Sequence, residues 1–391
     1  MTVLTTAPSL TGTPEHAQFR ASVRAFVEKE INPHADAWEA ARTWPAHEVL
    51  PKLAAIGGLG LEYDEEYGGQ GADHSFTVVL AEELGRADVA GVPMGIAVQA
   101  AMATPALARH GSHDLKKRYL EPALRGEMVC SIAVSEVEAG SDVAGIRTRA
   151  VRDGDSWVID GRKMWITNGS QADWICLLAR TSDEPGYQGM SLIIVPTDAP
   201  GFSVGRVIEK MGNHSSDTAE LVLDGVRVPV ANTVGEIGRG FQQQMEQFQD
   251  ERLIGAYMAV AGARRAIDRT VDYLREREVF GKPLLANQHL QYRLAELIAD
   301  VDVLHEYCLT AAARKCAGED VTKMATVAKL KSGRVAREVA DAAVQFHGGA
   351  GYAEDLWVAR YFRDARLISI GGGADEVMLR VLGLLEGMGR R

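Results

Sequence analysis

The sequence predicts an α+β protein, mostly α. It has an N-terminal helical domain, a middle antiparallel β-barrel or sandwich domain and a C-terminal four-helix bundle. Three observations predict this. Apolar residues recur at helical spacing on both sides of a stretch where short β-branched and aromatic runs alternate with turn residues. No long helical segment separates those runs, which argues for antiparallel pairing over βαβ units. The length of 391 residues accommodates about two or three domains at roughly 100–200 residues each. The expected boundaries are 1–125, 126–238 and 239–391.

In the first region Phe19, Val23, Phe26 and Val27 fall at helical spacing, and Pro14 suits a helix N-terminus. Leu80, Leu84 and the Ala-rich run after them continue the pattern. From Val89 to Ala108 there is no charge, close to bilayer-spanning length. Pro93, Pro105, Gly91, Gly95 and Gln99 interrupt it, so a buried, broken helix is expected. In the middle region the strands are Trp157–Ile159, Trp174–Leu178, Leu192–Val195 and Leu221–Leu223. The pairs Asp160-Gly161 and Asp224-Gly225 are hairpin signals. Beyond Phe241, the stripe Leu290, Leu294, Leu297, Ile298, Val301 and Leu304 predicts a long amphipathic helix. Another runs from about Val321 to Phe346, where Gly348-Gly349 stops it.

Composition excludes several classes. With 46% hydrophobic and 24% charged residues the chain is neither disordered nor collagen-like. Its 42 basic and 53 acidic residues give a net charge of -11, which argues against nucleic-acid or membrane-surface binding. The first 19 residues carry no Lys or Arg, so a signal peptide's charged start is missing. Cys130, Cys176, Cys308 and Cys316 form no C-x-x-C, and a cytoplasmic protein with reduced thiols is expected. No metal-ligand spacing and no G-x-G-x-x-G occur. Gly201-Phe202-Ser203-Val204-Gly205 matches a nucleophile elbow, but proline precedes it and a strand-like run follows, so it is an accident.

Four segments point to chemistry together. Ser135-Glu136-Val137-Glu138-Ala139-Gly140-Ser141-Asp142 is small and hydroxyl-rich, so its backbone can approach a flat ligand. In Gly161-Arg162-Lys163-Met164-Trp165-Ile166-Thr167-Asn168-Gly169 an indole can pack on a ring system, and Thr167 points to the same strand face as Trp165. Arg275 to Leu284, followed by Gln288, sets an Arg and an aromatic at a helix end, where Arg can grip phosphate bidentately. Gln345 to Tyr352 ends a helix with three glycines, open to phosphate or ribose.

In this order, these segments resemble the acyl-CoA dehydrogenase family of flavoproteins over about residues 15–385. Gly58-Leu59-Gly60, Lys210-Met211-Gly212, Val226-Arg227-Val228-Pro229, Gly238-Arg239-Gly240-Phe241 and Arg363-Asp364-Ala365 extend the likeness. The resemblance implies FAD as cofactor, an acyl-CoA substrate, an electron-transfer flavoprotein as partner and a homo-oligomer, typically a tetramer. It places Ile132, Val134 and Ser135 beside the isoalloxazine, and Ser141 near the acyl-CoA and the flavin phosphates. It sets Trp165 against the ring and Thr167 near N5. Arg277, Phe280, Gln288, Gln345 and Gly349 receive the pyrophosphate and adenosine end across a dimer.

The reaction needs a base to remove the proton α to a thioester carbonyl. Where many members carry it near the C-terminus, this chain has Gly372. A subgroup including the isovaleryl and long-chain enzymes carries it on the helix that opens the C-terminal domain, immediately before an Arg. Glu251, followed by Arg252, matches that place, and Gly255 leaves room beside it. Arg252 and Gly372 are then substrate-facing, with the Gly372 N–H free to polarise the thioester carbonyl. The chain departs from the family at Ser135-Glu136-Val137, Gly371 and Ala374. An acyl-carrier-protein thioester in place of CoA, and a flavin monooxygenase on the same fold, are the alternatives.

Overall fold

The computed structural model describes residues 10–389; residues 1–9 and 390–391 of the expected terminal domains lie outside them. Thr13 accepts the His16 N–H and Pro14 takes the first position of α1 (Pro14–Phe26), which buries Val23 and Phe26. There follow α2 (Ala35–Ala41), α3 (Ala46–Ala55), α4 (His74–Leu84), α5 (Gly91–Ala97), α6 (Pro105–His110) and the short α7 (His113–Leu115) and α8 (Glu121–Leu124). The uncharged run forms α5, a π-helical turn and α6. It is long and apolar enough to cross a membrane, yet most of it is buried inside the protein, as a broken core helix.

Seven strands form one sheet: β1 (Cys130–Ala133), β2 (Arg149–Asp153), β3 (Ser156–Thr167), β4 (Trp174–Arg180), β5 (Met190–Pro196), β6 (Phe202–Val207) and β7 (Thr218–Pro229). Their order is β1-β4-β2-β3-β7-β6, with β5 beside β4. Two expectations need correction. The sheet is mixed: β1 runs parallel to β4, and β2 meets β4 in parallel at Arg149 and Arg180. A loop and the antiparallel β2–β3 pair carry the chain from β1 to β4, so no crossover helix was there to signal parallel pairing. The Asp-Gly pairs are bulges within strands, and not hairpin turns. Ile159 faces Val226 and Gly161 faces Leu223, so two residues of β7 oppose one of β3. Gly225 takes φ 62° there, and its N–H donates to the Asp160 carboxylate at 2.8 Å. The β2–β3 turn lies instead at Gly154, with φ 61°. Ser203 sits within the paired strand β6, so the elbow match is void.

The C-terminal region comprises α9 (Gly240–Glu276), α10 (Gln288–Cys316), α11 (Thr322–His347), α12 (Trp357–Ala365) and α13 (Asp375–Leu385). Leu294, Leu297, Val301 and Leu304 are buried, as their stripe predicts. Gly348, at φ 59°, ends α11. One apolar cluster joins Val78, Ala97 and Met102 to Leu253, Tyr257 and Val339, so the N-terminal helices pack on the bundle. The three regions meet at Asp364 of α12. Its buried carboxylate accepts the Asn213 N–H at 2.5 Å and the Ala90 N–H at 3.4 Å.

Candidate functional site

The site begins at α9. Phe248, Glu251, Gly255 and Met258 are half-buried along one stripe of a helix whose neighbouring positions are mostly closed. A Cβ on Gly255 would meet nothing within 4 Å, so the predicted space beside Glu251 exists. Gly372 lies in the turn between α12 and α13, at φ 64°. A Cβ there would stand 3.0 Å from the Glu251 Oε1. The two segments that sequence reasoning coupled are therefore in contact, and a side chain at 372 would displace the carboxylate. Burial pushes the Glu251 carboxyl up to about 7, and Arg252 and Lys329 pull it only partly back.

Arg252 is buried, with its guanidinium 5.8 Å from the Phe248 ring centroid and its Nε without a partner. Lys329 of α11 was not predicted. It is 4% exposed and donates to the Gly373 carbonyl. It sits on the buried stripe Ala325, Ser332 and Ala336 of α11, and a lysine at helical spacing among small residues was the available signal.

A second group of predicted residues gathers where β1 meets the end of β3. The Ser131 hydroxyl donates to the Thr167 carbonyl at 2.6 Å, which sets Ile132 beside Thr167. Trp165 stands on a bulge of β3, between Lys163 and Ile166, at φ 66° and 60% exposed. A positive φ at so bulky a residue, with its indole in the open, makes Trp165 a candidate site residue. The Met164 N–H donates to the Ser135 carbonyl at 2.9 Å, which ties the bulge to the Ser135 loop.

Beneath them lies a buried ion pair that sequence reasoning missed. The Lys163 ammonium donates to the Val134 carbonyl and to Glu136, each at 2.9 Å. Glu136 also accepts the Arg147 and Thr148 N–H groups and the Thr148 hydroxyl. Burial pushes Glu136 up, but these contacts outweigh it and hold the carboxyl below its ordinary range. The signal was parity, since alternation from Trp157 and Ile159 carries Lys163 to the inward face. Ser141 is exposed in the same loop.

The third group lies at the far end of the helices. Arg277 caps α9 and is exposed, with no ion pair among the described residues. Phe280 and Gly281, at φ 53° and 74°, form the two-residue turn of a hairpin, β8 (Glu278–Val279) with β9 (Lys282–Pro283). That turn holds the Phe280 ring 102% exposed. Gln288 opens α10, and Gln345 and Gly349 are exposed at the end of α11. Gln345 also lines a cavity of about 460 Å³ between α10 and α11, with Arg293 and Arg337. Fully exposed aromatic, arginine and glycine positions fit a pyrophosphate and a flat base.

A further cavity of about 400 Å³ adjoins α9 at Asp250 and Ile254, among Ala101, Tyr63, Arg109 and Glu62. Several of its charges pair with one another, Asp250 with Arg109 and Lys315, and Glu62 with His74. Among the described residues no cluster could hold a metal ion, and all four cysteines are unpaired.

Domain models of acyl-CoA dehydrogenases match the chain in order: the N-terminal domain over residues 13–127, the middle domain over 131–226 and the C-terminal domain over 238–384. A probable acyl-CoA dehydrogenase of Bacillus subtilis is 35% identical over 371 residues, covering 95% of this chain and 97% of that protein. The crystal structure of a probable acyl-CoA dehydrogenase from Mycobacterium abscessus is similar with a TM-score of 0.93 and 41% identity, covering 96% of this chain and 99% of that one. A glutaryl-CoA dehydrogenase from Mycobacterium smegmatis, solved in complex with FADH2, is similar with a TM-score of 0.90 and 28% identity, covering 97% and 96% of the two chains.

Proposed function

The chain belongs to the acyl-CoA dehydrogenase family, and on that premise we propose that it desaturates an acyl-CoA thioester between Cα and Cβ, with Glu251 as the base. The observation that carries this is the fit of the Glu251 carboxylate against Gly372. One socket holds one carboxylate, and here α9 fills it.

The exposed Trp165 and Arg277 and the fully exposed Phe280 suit FAD. Ile132, Val134, Ser135, Trp165 and Thr167 would hold its ring. Arg277, Phe280, Gln288, Gln345 and Gly349 would hold the pyrophosphate and adenosine of an FAD seated on a second copy. When bound, FAD supplies the acceptor for the β-hydrogen and its electron pair. Glu251 takes the α-proton on a carboxylate oxygen and becomes neutral, the form that its burial favours. A base poised near neutral pH also balances readiness against driving force. The Gly372 N–H polarises the thioester carbonyl, Ser141 lies along the carrier, and Arg252 stays beside the base.

Relocation of the base and the small Gly371 and Gly372 favour a branched, medium or long acyl chain. Electrons pass on to an electron-transfer flavoprotein. The split cofactor groups call for an oligomer, a tetramer by likeness to the family, and the unpaired thiols suit the cytoplasm. A flavin monooxygenase would have no use for a buried base at Glu251.

Anaerobic titration with straight, branched and terpenoid acyl-CoAs tests the proposal. One group should bleach the oxidised flavin. Glu251→Gln should stay yellow and lose about 10²–10⁴-fold in reduction rate. A Gln variant reduced as fast as the parent would overturn the base assignment.

A further inference from the structure

Glu251 is the one carboxylate of three charges, Glu251, Arg252 and Lys329, that two helices, α9 and α11, bring together. Arg252 faces it from its own helix, and Lys329 faces it from α11. Lys329 in turn is faced by Asp375 and Glu376 at the start of α13, besides Arg252 and Glu251. Asp375 is engaged by Arg334 at 3.6 Å and Arg337 at 3.3 Å. Among the described residues neither Lys329 nor Arg252 forms an ion pair, although both are buried. Two buried cations without direct carboxylate partners thus flank one carboxyl. A buried ammonium is costly unless it is hydrogen-bonded and faces opposite charge. Burial lowers Lys329 to about 8, so it still carries charge at neutral pH.

The geometry adds a tether. The Lys329 ammonium donates to the carbonyl of Gly373. Gly373 follows Gly372, where an added Cβ would stand 3.0 Å from the Glu251 carboxylate. Gly373 itself is held at φ 99°, and a Cβ there would meet the Met378 methyl at 2.6 Å. Met378 of α13 thus lies close on one side of the turn, and Lys329 holds it on the other by a hydrogen bond.

We propose that Lys329 is a positioning residue for Glu251: it pins the Gly371–Gly373 turn through the Gly373 carbonyl and supplies the positive field that keeps the base ionised before it takes a proton. Lys329 acts through Glu251 and the turn, and touches no substrate. The inference rests on the proposed role of Glu251 as base.

Three variants separate charge from tether. Lys329→Met loses both, Lys329→Gln keeps an amide donor without charge, and Lys329→Arg keeps charge. The first readout is independent of turnover: difference infrared titration of the Glu251 carboxyl in the holoenzyme, with Glu251→Gln as the blank. The second is the pH profile of anaerobic flavin reduction. Removal of a facing cation should move the Glu251 titration up by roughly one pH unit in the Met and Gln variants, and leave it in place in the Arg variant. On the acid side of the profile their rates should fall about tenfold, and should approach the parent's at high pH. A purely structural role would lower the rate equally at every pH. If Lys329→Met fails to fold, the Gln and Arg variants decide. An unmoved titration in Lys329→Gln, or an equal shift in Lys329→Arg, overturns the inference while the dehydrogenase proposal stands. Absence of bleaching by every thioester, with the titration still dependent on Lys329, sinks the dehydrogenase proposal and leaves the electrostatic coupling intact.

Discussion

Burial lifts the Glu251 carboxyl from its ordinary 4.5 to about 7, so folding favours its neutral form. For an acid raised in this way the contribution to stability is complete below 4.5 and is lost as pH rises through about 7. Asp364 is raised to about 7, chiefly by burial, and has the same sign. Glu251→Gln replaces the ionisable group with a neutral isostere. Its thermal midpoint should exceed the parent's, by a margin that widens from about pH 6 to about pH 9. A margin that is constant or shrinks over that range would mean that Glu251 ionises without cost. At this scale the sequence exposed Glu251, because an absent side chain at Gly372 and a present one at Glu251 explain each other. It hid Lys329, whose partner is a backbone carbonyl 44 residues away. No local spacing encodes a contact of that kind.

The elements show where local signals mislead. Asp-Gly supplies a left-handed residue, and both a hairpin turn and a bulge can use one. Only the register of β3 against β7 decides between them, and register is a long-range property. The bulge at Trp165 depends on the ion pair below it. Lys163 and Glu136 are 0% and 6% exposed, so removal of one partner strands a buried charge. Lys163→Met should cost about 3–5 kcal/mol and release flavin, whereas Lys163→Met with Glu136→Gln should recover part of that loss. Urea midpoints and flavin-to-protein ratios of the two variants check this. A double variant no better than the single one would place the importance of Lys163 in its Val134 contact.

For the whole molecule, the order of helices, sheet and helices was legible, because hydrophobic period changes from 3.6 to 2 and back along the chain. The parallel pairing of β1 with β4 was not, since nothing in either strand names its neighbour. The expectation of an oligomer comes from likeness to the family alone. On the proposed cofactor site, Arg277→Ala would remove a charge-assisted phosphate contact made to a second copy. Gel filtration at falling protein concentration should then show flavin lost at higher concentration than in the parent, with secondary structure retained. Retention equal to the parent's would place the pyrophosphate elsewhere.

Asp364 ties these scales together. One carboxylate on α12 satisfies a backbone N–H from the β-sheet region and another from the N-terminal helices. Excision of the C-terminal helices would leave both N–H donors bare, and excision of either other region would leave the buried carboxylate with one donor fewer. The boundaries visible along the chain divide its grammar without dividing its stability. A fragment trimmed to one region should therefore lose stability, and the intact molecule should unfold in one transition rather than three.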